Sequence, residues 1–310
     1  MKDRLVTLVG GGGFLGRYVV QELLAAGARV RIAQRDPRRA WFLKPLGGLG
    51  QTQFVAADIA RPDTIARAVG GAGAVVNLVG TFGDYERVNV DGARTIAEAA
   101  AAAGVGALVQ ISAIGADPRS PSRYGRSKAG GEQAVVAAFP TATILRPSVV
   151  FGREDQFVNR FAAMIASAPV VPVLKPDAKF QPVYVGDVAK AVVAALGDAG
   201  SHGGRTYELG GPDVFSMADL YRWIADSIGR RPPMPHLPDG IGALLASMSF
   251  LPGAPITKDQ WLMLQRDNVV ADGALGLAAL GIAPTPIAAV ASSWLVQYRR
   301  QGRFGGKLAA

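Results

Sequence analysis

Along the first half of the chain, short apolar runs alternate with segments whose apolar residues recur every three or four positions. The runs at 5–9, 30–34, 53–56, 74–78, 107–111 and 143–145 have strand length and are predominantly apolar rather than alternating. That pattern predicts strands covered on both faces. Helical spacing fills the gaps at 15–26, 64–69, 86–103 and 123–139, with Pro62 near the start of the second. Such alternation predicts an α/β fold, a doubly wound parallel sheet with right-handed crossovers. After Pro147 prolines crowd in, and helical patterns at 156–165, 188–196, 217–228, 258–265 and 287–298 are separated by loops, with one strand returning at 206–209. The expected division is a first domain over 1–147, rejoined at about 181–210, and a smaller, partly interleaved C-terminal domain over 148–180 and 211–310.

The joint between the first run and the first helix carries chemistry. It reads Gly10-Gly11-Gly12-Gly13-Phe14-Leu15-Gly16. Gly10 permits a tight turn, Gly13 lets the backbone approach a pyrophosphate, and Gly16 lets helix and strand pack closely. The backbone of Gly12, Phe14 and Leu15 completes the cradle, and the helix start favours an anion. A Rossmann domain holding a dinucleotide is the expectation. An acid at the end of the second strand would hold the ribose 2′-hydroxyl of NAD, but the chain has Gln34-Arg35-Asp36-Pro37-Arg38-Arg39. Arg35, with Arg38 and Arg39 close behind, therefore favours the 2′-phosphate of NADP(H), beside Gln34 in the same cofactor site; otherwise Arg38 and Arg39 are a solvated helix face, and Asp36 keeps NAD(H) open. Asp58 and Ile59, after the third strand, are expected to flank the adenine. Leu78, Val79 and Gly80, after the fourth, are expected to line the pyrophosphate–ribose channel.

Ser112 follows Ile111 at the end of the fifth run, and Tyr124 and Lys128 stand one helical turn apart on the next helix. A lysine ammonium beside a phenol would lower its pKa toward neutrality, so that Tyr124 could exchange a proton with a substrate oxygen positioned by Ser112. Residues 81–85 and 151–159 are expected to line the substrate pocket, with Arg153 the one candidate for a diphosphate.

Composition narrows the field. The 310 residues are 49% hydrophobic and 18% charged, which describes a globular chain. No cysteine is present and the two histidines, His202 and His236, are far apart, so neither a disulfide framework nor a metal centre is expected. The net charge of +9 favours anionic partners. The arginines are scattered and no helix-turn-helix pattern stands out, so nucleic acid is not the expected partner. No signal or transit peptide and no spanning segment is expected. The apolar stretch 241–251 lies between Pro238 and Pro252, and Arg299, Arg300, Arg303 and Lys307 follow Trp294-Leu295-Val296. Both suit a cytoplasmic protein attached peripherally to the inner membrane; otherwise 241–251 packs into the second domain's core and the tail is solvated.

Taken together, Gly10 to Gly16, Asn77 to Gly80, Asn89-Val90-Asp91-Gly92, Ser112, Tyr124-x-x-x-Lys128 and Arg146-Pro147 resemble the short-chain dehydrogenase/reductase superfamily in its extended or atypical branch. Longer blocks are Ile144-Leu145-Arg146-Pro147-Ser148-Val149-Val150-Phe151-Gly152, Glu154-Asp155-Gln156-Phe157, Phe180-Gln181-Pro182-Val183-Tyr184-Val185-Gly186-Asp187-Val188 and Gln265-Arg266-Asp267-Asn268-Val269-Val270. These are similar to bacterial relatives of the Rossmann-fold accessory subunit of respiratory complex I, subunit nine of its alpha subcomplex. The resemblance implies a bound NADPH, with Pro147, Ser148 and Val149 beside its nicotinamide, and a largely structural role in complex I or among quinone-biosynthesis proteins. Because Ser112, Tyr124 and Lys128 are all kept, an active NADP-dependent oxidoreductase or epimerase on a small substrate such as an isoprenoid is the other expectation.

Overall fold

A computed structural model describes residues 1–249, 256–300 and 302. The chain forms two compact units. The first comprises Met1–Pro147, Val185–Leu209 and Ala271–Ala283; the second comprises Ser148–Tyr184, Gly210–Val270 and Pro284–Ala310.

The first unit is built on one seven-stranded sheet. Its strands are β1 (Leu5–Val9), β2 (Arg29–Gln34), β3 (Thr52–Ala56), β4 (Ala74–Asn77), β5 (Leu108–Ile111), β6 (Thr143–Pro147) and a strand at Thr206–Leu209. Every pairing is parallel, and the spatial order from one edge is β3, β2, β1, β4, β5, β6, Thr206–Leu209. The order reverses between β1 and β4, the place where a doubly wound sheet opens a crevice at its strand ends. Val6, Leu8, Val30, Ile32, Val75, Val76 and Val109 are all buried, because helices cover both faces. On one face α1 (Phe14–Ala25) packs beside the helix Val185–Gly197. On the other, α2 (Pro62–Val69), α3 (Gly92–Ala102) and α4 (Arg123–Ala138) close over Ile65, Val69, Ile96, Leu108 and Val135.

Several boundaries differ from the sequence expectation. The stretch 86–103 is not one regular helix: Glu86–Asp91 is wound as a π-helix before α3 begins. The buried Asn89 amide holds that wide turn, accepting from Thr81 N (3.0 Å) and donating to Thr81 O (3.1 Å) and Ser127 Oγ (3.0 Å). Residues 271–283, expected in the smaller domain, belong to the first unit. There Glu208 N donates to Leu275 O (2.8 Å) and the Glu208 carboxylate accepts from Ala271 N (2.9 Å). Residues 181–184 and Gly210, expected in the first, belong to the second, where Val183–Tyr184 pairs with Val150–Phe151. The expected helix 287–298 is split into Ile287–Val290, Ser292–Leu295 and a 3₁₀ turn at Val296–Tyr298. At the break, the Ser293 hydroxyl donates back to Val290 O (2.7 Å), competing with regular helix bonding.

The second unit packs the helices Val158–Ser167 and Met217–Ile228 around Phe151, Ile165, Leu220, Ile224 and Leu295. The block ending at Val270 knits it together. Asn268 Oδ1 accepts from Ser148 Oγ (2.6 Å) and Val149 N (3.1 Å), while Asn268 N and O pair with Lys179 and Gln181. Of the apolar stretch 241–251, the described part is the helix Asp239–Ser247, whose Gly242 and Ala246 are buried against Trp261 while Ile241 and Leu244 are exposed. Phe250, Leu251, Pro252, Arg303 and Lys307 lie outside the described residues. No described helix is long and apolar enough to cross a membrane.

The glycine turn makes a stability prediction. A Cβ at Gly16 would lie 2.2 Å from Gly11 O, whereas one at Gly13 would meet nothing nearer than 3.7 Å. Gly16→Ala should destabilise the first unit by about 1–3 kcal/mol through overpacking, and Gly13→Ala by less than about 1 kcal/mol. Urea denaturation of the two variants checks this. Equal losses would show that close packing at position 16 is not what holds the turn.

Candidate functional site

β1 ends at Val9 and the chain turns at once. Gly10 has φ +83°, a conformation that favours glycine, and its N–H donates to Ala33 O (2.8 Å). Gly13 is the N-cap of α1, with no side-chain cap and no acidic residue in the first turn. The first N–H groups of the helix therefore face out without a carboxylate partner, the arrangement that receives an anion. Around them lies a cavity of about 550 Å³ lined by Gly12, Gly13, Gln34, Arg35, Asp36 and Arg39. Its size is that of a cofactor site. Phe14 and Leu15 open α1, and the Phe14 ring packs edge-on against Tyr18. Leu78, Val79 and Gly80 run beside the turn: Leu78 N donates to Val9 O (2.9 Å), and a Cβ at Gly10 would stand 3.2 Å from Val79 Cγ2.

The charges at the end of β2 are sorted by hydrogen bonding. Gln34 Nε2 donates to Asp36 O (2.7 Å). The Asp36 carboxylate caps the 3₁₀ segment Pro37–Leu46 by accepting from Arg38 N (3.2 Å), and it also accepts from Arg38 Nε (3.0 Å). Arg38 thereby holds the Asp36 carboxyl below the usual carboxylate range. Arg39 reaches the same carboxylate only at 4.0 Å, and Arg35 makes no ion pair among the described residues. The one acid at this strand end is thus already engaged, and two guanidinium groups line the cavity. Asp58 accepts from Ala60 N (3.0 Å) within its own turn, and Ile59 packs against Gly92.

The residues expected to form the second constellation lie at the end of β5 and in the first turns of α4. Ser112 N donates to Leu145 O (2.7 Å), fixing the strand end, and Ser112 Oγ is buried with no hydrogen-bond partner among the described residues. Ser122 caps α4 by accepting from Gly125 N (3.2 Å). One turn into that helix, Lys128 Nζ donates to Ile111 O (2.9 Å), the carbonyl just before Ser112. A Cβ at Gly80 would lie 3.8 Å from Lys128 Nζ, so the loop after β4 reaches the same place. The Tyr124 ring is stacked on Phe82 (4.4 Å between centroids, 20° between planes), with Tyr85 edge-on at 6.3 Å. Pro147 closes β6, and its carbonyl accepts from Ile114 N (3.0 Å). Ser148 and Val149 belong to the second unit and bind Asn268. In that unit Asp155 caps the chain leading into Val158–Ser167, accepting from Gly152 N, Phe157 N and Asn159 N, and Arg153 is exposed.

The electrostatics correct one expectation. The Tyr124 phenol is not lowered toward neutrality; burial, with Tyr85 nearby, pushes it up to about 12. Burial also brings Lys128 down to about 8, against an upward pull from Glu132. Glu132 is a residue that motif reading missed, although it stands one turn beyond Lys128. It is held bidentately by Arg146 (2.9 and 2.6 Å), which also meets Glu208 at 3.5 Å. Gln110, too, was unmarked: it accepts from Asn77 Nδ2 (2.7 Å) beneath the site, and Asn77 Oδ1 in turn accepts from Val79 N (2.9 Å).

Residues 6–210 match the NAD dependent epimerase/dehydratase family. The chain belongs to that family. It is 38% identical to the mitochondrial NADH dehydrogenase [ubiquinone] 1 alpha subcomplex subunit 9 of Arabidopsis thaliana, over 98% of this chain and 81% of that protein. It is 34% identical to the ceramide reductase of Caulobacter vibrioides, over 81% of this chain and 80% of that protein. Among solved structures, the NADPH-dependent quinone oxidoreductase QOR2 of Escherichia coli, complexed with NADPH, shares the fold. The TM-score is 0.77 at 21% identity, over 94% of this chain and 99% of that one.

For this epimerase/dehydratase family member the buried lysine sets a pH dependence. Between about pH 8 and 10 the folded chain gives up the Lys128 proton while the unfolded chain still holds it, so stability rises with pH. The Tyr124 shift acts above about pH 10, where the folded chain keeps a proton that the unfolded chain loses and stability falls. Lys128→Met should remove the rise. Its stability relative to wild type should drop by about 2 kcal/mol between about pH 7.5 and 9.5. Urea denaturation at the two pH values measures it; a constant difference would mean that Lys128 titrates normally.

Proposed function

We propose that the chain holds NADP(H), chiefly as a bound structural or regulatory element of a respiratory or quinone-linked assembly at the inner-membrane surface. Asp36 carries the cofactor choice: its carboxylate is taken by Arg38, while Arg35 and Arg39 line the cavity. A guanidinium matches a phosphate in charge and geometry. Gly12 and Gly13 would hold the pyrophosphate with backbone N–H groups at the start of α1, Arg35 and Arg39 the 2′-phosphate, and Asp58 and Ile59 the adenine side. A bound nicotinamide supplies hydride-transfer chemistry. The structural role is supported by the Tyr124 ring, which is stacked on Phe82 with Tyr85 edge-on. The Arabidopsis relative, a subunit of NADH dehydrogenase, supports the kind of assembly.

A second reading is favoured by one specific observation. The buried Ser112 hydroxyl has no partner among the described residues, and such a group is costly unless a ligand oxygen meets it. An NADP-dependent oxidoreductase acting on a carbonyl of an apolar substrate would use Ser112 to position that oxygen, Tyr124 to give it a proton and Lys128 to hold the local charge. The ceramide reductase relative supports this reading.

Fluorescence titration of NADPH and NADH against wild type and Arg35→Ala tests the proposal. The variant should lose about tenfold or more in NADPH affinity and little in NADH affinity; an unchanged ratio would remove Arg35 as the reader of the 2′-phosphate. Turnover that falls by about 10²–10⁴-fold in Tyr124→Phe would move the balance to the oxidoreductase.

A further inference from the structure

Four of the twelve large apolar side chains exposed among the described residues fall within nine positions of the first unit. They are Trp41 (48% exposed), Phe42 (44%), Leu46 (43%) and Leu49, which is fully exposed. Their presentation is built into the backbone. Pro37–Leu46 is a 3₁₀ segment, so positions three apart share an edge. Ala40 and Leu43 form the inner edge and are completely buried. Trp41 and Lys44 form an outer edge, with Lys44 Nζ 4.2 Å from the Trp41 ring centroid. Arg17, from α1, lies 4.6 Å over the Phe42 ring. Leu49 stands at the corner of a turn closed by Gln51 N to Gly48 O (3.2 Å) and Gly48 N to Gln51 Oε1 (2.7 Å), with Gly50 at φ +75°. The segment is thus anchored by Ala40 and Leu43, with Trp41 and Phe42 half exposed on its two other edges and Leu46 exposed where the segment ends.

The charge on this face has one sign. Of the cations in residues 35–51, Arg38 is engaged by Asp36 and Arg35 and Arg39 line the cofactor cavity, so the charge of this face is carried by Lys44, beside Arg17 of α1. Tryptophan, phenylalanine and leucine set among lysine and arginine have the composition of a surface that lies in the headgroup region of an anionic membrane. Long cationic side chains can stay with the phosphates while the rings and leucines enter the acyl boundary. An apolar protein groove would bury the leucines equally well but leaves the excess positive charge without a counterpart.

We propose that Trp41, Phe42, Lys44, Leu46 and Leu49 form the face by which this protein docks on an anionic phospholipid leaflet. The proposal deepens the membrane placement suggested above and rests on that reading. It names a different element from the exposed helix Asp239–Ser247, which carries Ile241 and Leu244 but no lysine or arginine of its own.

Sedimentation of the full chain with phosphatidylcholine vesicles, with and without phosphatidylglycerol, tests it. Binding is expected only to the anionic vesicles and should weaken with salt. Lys44→Gln should cost about fivefold in affinity. Leu49→Glu should weaken binding further and Leu49→Trp should tighten it, both at a side chain too exposed to affect folding. NADPH titration should be unchanged in all three, which separates failure of this face from failure of the cofactor reading. No binding to anionic vesicles, indifference to Lys44 and Leu49, or loss of binding only in Leu244→Glu would overturn the proposal.

Discussion

No side chain fits at position 16, because the Gly11 carbonyl occupies the place where its Cβ would stand. That single close approach brings α1 to the end of β1 with only the glycine turn between them. Its consequences propagate outward. The helix start is aimed at the strand ends where the sheet order reverses, and Gly13 provides no side-chain cap. The unpartnered N–H groups there, together with the helix dipole, make an anion the natural occupant. β2 then delivers Gln34, Arg35 and Arg39 to the rim of the same cavity.

The other end of the site depends on buried polar pairs rather than on close packing. Asn77 and Gln110 bind each other between β4 and β5, and Asn89 ties residue 81 to Ser127 on α4. Arg146, between Glu132 and Glu208, links β6 to α4 and to the strand Thr206–Leu209. Unpaired, each group would be costly to bury. Paired, they fix the loop after β4 and the helix that bears Tyr124 and Lys128. Ser112 Oγ, buried at the end of β5, has no such partner among the described residues.

Much of this was legible in the sequence. The strands at Leu5–Val9 and Thr206–Leu209 and the helix Met217–Ile228 are bounded by strong local signals, and their limits agree with the pattern of apolar positions. The glycine turn is similarly local, since its spacing encodes its own geometry. What failed depended on distant partners. The π-helical turn at Glu86–Asp91 follows from Asn89 meeting Ser127, thirty-eight residues away. The place of residues 271–283 follows from Glu208. The phenol of Tyr124 was expected to be lowered by Lys128, but spacing on a helix says nothing of how much water reaches the pair, and here burial decides. The 3₁₀ segment Pro37–Leu46 left no helical signature because its period is three and prolines stand at both ends.

The central claim is that this cradle takes NADP(H) with the 2′-phosphate against Arg35 and Arg39. Phosphorus NMR of NADP⁺ titrated with pH, free and bound to the protein, measures it most directly. If the claim holds, the bound 2′-phosphate will remain a dianion to a pH well below that of the free cofactor, because two guanidinium groups favour the charged form. A bound 2′-phosphate that titrates as it does in free NADP⁺ would contradict the account.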